Sequence, residues 1–172
     1  MRSALAFIVV LLVACGAREP GGAGEDPNVR LGELREEQIF EVPRWGSAFE
    51  DAEVDAEAAA GLASVVPGAT VDVFLGTWCS DSRREVSRLL RALGGRQDLP
   101  FTLRLIGVDR SKSEPATHLA GQGVRFVPTI IVRREGREVG RIVESAPRGV
   151  EVELLALLRG ETQGVISGRD DV

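Results

Sequence analysis

The segment Val71–Leu75 reads as a short strand with almost no polar interruption, and it runs straight into Gly76-Thr77-Trp78-Cys79. A strand that is apolar on both faces belongs in the middle of a sheet, covered from both sides. From Ser80 the period changes. Val86, Leu89, Leu90 and Leu93 fall at i, i+3, i+4 and i+7, with Arg83, Arg84, Arg88 and Arg91 between them, which predicts an amphipathic helix stopped by Gly94-Gly95. A cysteine is thus expected at the carboxyl end of a buried strand and at the mouth of a helix.

The rest of the chain continues as a mixed α/β pattern. Ala48–Ala63, rich in alanine and acidic residues, predicts a helix that ends before Pro67-Gly68. Phe101–Val108 predicts a strand ending at Asp109, and 115–121 suits a short helix at most. Thr129–Val132 and Arg137–Val143, joined through Glu135-Gly136, predict an antiparallel hairpin. Ser145 is expected to cap a last helix with Pro147 in its first turn, Glu151 and Glu153 near its positive end and Gly160 as its stop. The expected order is helix, strand, helix, strand, short helix, strand, strand, helix, with no internal repeat.

The ends read differently from the middle. Arg2 precedes an uninterrupted apolar run of ten residues, Ala4–Val13. A membrane-spanning helix needs roughly 20 such residues, so 1–14 reads as a signal peptide instead. Leu12-Val13-Ala14-Cys15 resembles a bacterial lipobox, the alternative being an ordinary secretory signal that contains a cysteine. On the lipobox reading Cys15 is acylated, and Gly16 in place of an acidic residue after it favours an outer-membrane anchor facing the periplasm. Residues 15–28, with Gly21-Gly22-Ala23-Gly24, read as a flexible tether, 29–160 as one domain with an N-terminal extension, and 161–172 as a disordered tail.

Losing Arg2 with the signal leaves 20 basic against 26 acidic residues. That balance argues against nucleic acid as a partner. With two cysteines and one histidine, His118, a four-ligand structural zinc site is excluded in practice, and no cofactor is expected. If Cys15 is committed to lipid, Cys79 is the only free thiol and no internal disulfide can form. A thiol is mostly protonated at neutral pH, and a helix N-terminus favours its reactive anion through unpaired N–H groups and the helix dipole. Asp81 opposes this effect and Arg83 and Arg84 act against Asp81, with the sum left open by the sequence. Ser82 has two open readings: a hydroxyl donating to the Cys79 thiolate, or the N-cap of a capping box with Glu85. His118 reads as a surface residue, and Trp45 as packing within the N-terminal extension.

A strand ending in Trp78-Cys79 at a helix N-terminus, a second strand ending in Asp109, then Val127-Pro128-Thr129 opening a hairpin before a final helix, resembles the thioredoxin superfamily over residues 48–160. The resemblance implies a three-layer α/β/α sandwich around a mixed sheet of about four to five strands. It also implies that Cys79 is the redox thiol, that Trp78 lies partly exposed beside it, and that Pro128 is cis and packs on the cysteine. Val127 would then offer its backbone to an extended client chain. Without the resemblance, Pro128 reads as the start of an edge strand.

Two departures from the family agree with each other. Ser82 stands where dithiol members carry a second cysteine, and Val73 where thioredoxins carry a buried acid, with Asp72 turned to the opposite face. The expectation is monothiol exchange by Cys79 on client proteins with disulfides or oxidised cysteines, completed by an external thiol reductant. The alternatives are a non-catalytic binding module on the same scaffold and, less well matched, a glutaredoxin-like cluster carrier.

Overall fold

A computed structural model describes residues 26–172. The expected signal peptide, Cys15 and the tether up to residue 25 lie outside the described residues. The elements are β1 (Gly32–Leu34), α1 (Glu36–Phe40), α2 (Trp45–Glu50), α3 (Ala56–Leu62), β2 (Ala69–Leu75), α4 (Ser80–Leu93) and β3 (Phe101–Gly107). They are followed by α5 (Ala116–Leu119), β4 (Thr129–Arg134), β5 (Arg137–Val143), α6 (Val150–Arg159) and β6 (Gly164–Ser167). The strands form one mixed sheet in the order β1-β3-β2-β4-β5-β6, with β2 central as its composition predicts. This is a thioredoxin-like α/β sandwich.

Strand alternation divides the core. Val71, Val73 and Leu75 of β2 join Leu89, Leu90, Leu93, Leu154 and Trp45 in the larger cluster, so α1–α4 and α6 all cover one face. Phe74 points the other way, to Ile106, Val108, Val127 and Ile131, with Leu119 and Val124 packed over them. The layer on that second side consists of α5 and its flanking loops, and it covers only the carboxyl ends of β2 and β3. Nearer the amino ends the same face turns polar. Asp72, 2% exposed, is held there by Arg104 from β3 at 2.7 and 2.8 Å and by Arg133 from β4 at 2.6 Å. Arginine stems and forks replace a helix as its cover.

Four expectations are corrected. The sheet has six strands, not four to five, because β1 adds at one edge and β6 at the other. The tail expected to be disordered over 161–172 contains β6, which pairs in parallel with β5 from Gly140↔Gly164 to Val143↔Ser167. The helix expected over 48–63 is broken into α2 and α3. Asp55 caps α3 by accepting from the Ala58 N–H at 2.8 Å, and its own N–H is taken by Glu151 Oε1 at 2.8 Å, which removes that amide from any continuous helix. The last helix begins at Val150 with Gly149 at its N-cap (φ 109°), so Ser145 and Pro147 lie in the turn before it. The hairpin is as expected, with Glu135 and Gly136 both at positive φ (50° and 75°), the two-residue turn that matches strand twist.

Candidate functional site

The loop between β2 and α4 is built from residues far apart in the chain. Cys79 is the N-cap of α4 (φ −89°, ψ 134°). Its N–H donates to Gly76 O at 2.9 Å, and its carbonyl accepts the first helical bond, from the Arg83 N–H at 3.1 Å. The N–H groups of the first turn therefore open toward the cysteine side of the helix. Gly76 is required by close approach: a Cβ there would lie 2.7 Å from Cε2 of Trp78, whose ring folds back over it.

Ser82 is fully buried at the third position of α4, and its hydroxyl oxygen accepts the Gly76 N–H at 3.1 Å. The capping-box reading is thereby corrected, since Cys79 caps the helix. The hydroxyl's observed partner is the loop backbone and not the Cys79 sulfur. Ser82 fixes the loop that carries the thiol.

Cys79 is half-buried, and its S–H donates to the Val127 carbonyl at 3.4 Å. The Val127–Pro128 peptide bond is cis, and Val127 and Pro128 are buried beside the cysteine. Trp78, half-exposed, donates its indole N–H to Val108 O at 3.1 Å. Asp81 and Arg84 form an ion pair at 2.7 Å, so the carboxylate two residues after the thiol is balanced locally by one of the two arginines expected to do so. Val73 lies in the core and Asp72 on the opposite face, as strand alternation predicts. His118, in the last turn of α5, takes no part in these contacts.

Three parts of the site escaped the sequence reading. Trp45, fully buried, donates its indole N–H to Thr77 O at 2.9 Å and so sits under the loop rather than only within the extension. The Thr77 hydroxyl donates to Asn28 O and accepts from the Arg30 N–H, which docks the end of the expected tether on the same loop. Arg110 lies 4.9 Å over the Trp78 ring and pairs with Asp26 at 2.7 Å. No local pattern marks Trp45, Thr77 or Arg110, because each acts on a segment 30 to 80 or more residues away.

The loop that carries Arg110 is shaped by Asp109. Burial pushes its carboxyl up, but N–H groups of Glu114, Ser113 and Ser111 at 2.8, 2.7 and 3.1 Å, with the Ser111 hydroxyl, hold it well below the usual carboxylate range. A depressed carboxylate stabilises the fold at neutral pH and loses that contribution as pH falls below about 4. Asp109→Asn is therefore expected to lower the melting temperature at pH 7, with a smaller gap to wild type at about pH 2, where the loss of the contribution is under way. A gap of equal size at both pH values would contradict this role.

Among the described residues no three His, Cys, Asp or Glu side chains converge as a metal site, and no helix is long and apolar enough to cross a membrane. No family model and no curated protein matches the chain. Among solved structures, the chain is similar to a protein of unknown function from Pseudomonas aeruginosa, with 16% identity, 76% of this chain and 94% of that one covered, and a TM-score of 0.56. An HIV epitope scaffold gives 16% identity, 75% and 93% coverage and a TM-score of 0.56. Thioredoxin f2 of Chlamydomonas reinhardtii gives 19% identity, 64% and 96% coverage and a TM-score of 0.38. With the first two of these structures the chain shares a fold alone; in this chain's thioredoxin-like α/β sandwich, Cys79 stands where the central strand meets a helix.

Proposed function

We propose that this protein is a lipid-anchored thiol–disulfide exchange protein of the bacterial envelope, working with the single thiol of Cys79. The observation that carries the reading is the placement of Sγ, half-exposed at the N-cap of a 14-residue helix and 3.4 Å from the Val127 carbonyl. An extended client chain lying beside Val127 would bring its own sulfur within reach of Cys79. The Cys79 thiolate attacks one sulfur of the client disulfide, a Cys79–client disulfide forms, and the other client sulfur leaves as thiolate. An external thiol then reduces the mixed disulfide. Acylation of Cys15 would hold the domain at the membrane, and Gly16 after it favours the outer membrane facing the periplasm.

The test is reaction of the protein with a peptide containing one disulfide, followed by mass spectrometry without reduction. The expected product is a mixed disulfide on Cys79, reversed by a small thiol, absent in Cys79→Ala, and formed at least ~10-fold faster than with a free cysteine peptide. A rate no greater than that of the free peptide would favour the non-catalytic binding module.

A further inference from the structure

The two loops that flank Cys79 present arginines whose charge faces outward, although the chain carries a formal net charge of −5. Arg110 stacks on Trp78, the neighbour of the thiol. Arg125 lies two residues before Val127 and rests over the Phe126 ring at 5.4 Å; among the described residues it enters no ion pair, the Asp171 carboxylate that feels its charge being held by Arg169. Nearby carboxylates are already engaged. Asp81 is paired with Arg84, and Asp109 is spent on its own loop. Asp51 and Glu53 share a cleft on the α4 side with Arg83 and Arg88.

On the Arg110 side a carboxylate does reach this rim, and it comes from a peptide stretch lying against the Cys79 loop. Asp26 Oδ2 accepts from Arg110 at 2.7 Å, while Asn28 and Arg30 are held by Thr77 through their backbone. The loop beside the thiol thus already accommodates a polypeptide with an acidic residue on Arg110.

We infer that the clients of Cys79 present their reactive sulfur in an acidic segment, read by Arg110 and Arg125 on either side of the thiol. The inference rests on the exchange reading proposed above and adds the substrate class. Asp26 then acts as an internal competitor for Arg110. The preference runs against the intrinsic trend, because a thiolate repels an acidic peptide.

The experiment uses the full chain carrying Cys15→Ser, so that Cys79 is the one thiol, and three cysteine peptides activated as 2-thiopyridyl disulfides. Their flanks are acidic, neutral or lysine-rich. Attack by the Cys79 thiolate forms the protein–peptide disulfide, breaks the peptide–thiopyridyl bond and releases thiopyridone, whose absorbance gives the rate. Relative to free cysteine, the acidic peptide is expected to react about 10-fold faster than the lysine-rich one at low ionic strength, with the ratio falling toward one in ~1 M salt. Arg110→Glu with Arg125→Glu should invert the order, and Asp26→Asn should widen the wild-type preference. Equal rates for all peptides, or a lysine preference in wild type, would overturn the inference while leaving exchange intact. Rates no greater than those of free cysteine with every peptide would remove the exchange reading and this inference together.

Discussion

Ser82→Cys is expected to change the stoichiometry of the reaction with a chromogenic aryl disulfide from one released aryl thiolate per protein to two. In a Cys15→Ser background the wild-type site has one thiol, so Cys79 displaces one aryl thiolate and remains blocked as a mixed disulfide until an external thiol arrives. Position 82 lies three residues further on, at the third position of α4. Positions three apart on a helix are separated by about 5–6 Å, within the span of a disulfide. The introduced thiolate would attack Cys79 Sγ in the mixed disulfide, close an internal disulfide between Cys79 and position 82, and expel the second aryl thiolate. Added dithiol would restore both thiols, so the variant should turn over repeatedly as a disulfide reductase. Substitution also weakens the bond from the Gly76 N–H, a neutral hydrogen bond worth about 1 kcal/mol, so folding should survive. Two equivalents from wild type, or one from a folded variant, would show that the missing resolving thiol does not define this site.

How much of this site was legible in the sequence follows from the range of the forces involved. The junction at Cys79 was legible because a period of two gives way to a period of 3.6 within a few residues, and Gly94 closes the helix in the left-handed conformation that glycine tolerates best. The hairpin was legible for the same local reason. β6 was not, because Gly164–Ser167 carries no pattern of its own and is ordered by pairing with β5. The break between α2 and α3 was hidden because the group that claims the Asp55 amide, Glu151, lies 96 residues away in sequence. The apolar run of β2 correctly placed it at the centre, but its second cover at Asp72 is two arginines from neighbouring strands. Likewise the sequence offers Ser82 as a partner for the helix or the thiol, whereas its distance in space selects the Gly76 amide.

Arg88→Leu is expected to cost about 3–5 kcal/mol of stability, because it strands a buried carboxylate. Glu151 is fully buried at the start of α6, and Arg88 of α4 grips it with two bonds of 2.6 and 2.7 Å. The same carboxylate accepts the Asp55 N–H that begins α3, so one ion pair ties three helices behind the Cys79 loop. The pocket for the guanidinium is built in: a Cβ on Gly149 would lie 2.3 Å from Arg88 Nη2. With a domain stability of roughly 5–15 kcal/mol, the single change would consume much of the margin. Replacing both partners, as Arg88→Leu with Glu151→Leu, removes the unpaired charge and should recover most of the loss. The remainder, about 1–3 kcal/mol, is the unsatisfied Asp55 amide, which neither leucine can serve. Urea unfolding of wild type, both single variants and the double variant measures the coupling directly. A loss below about 1 kcal/mol for Arg88→Leu would mean that water reaches Glu151 and that the pair is peripheral.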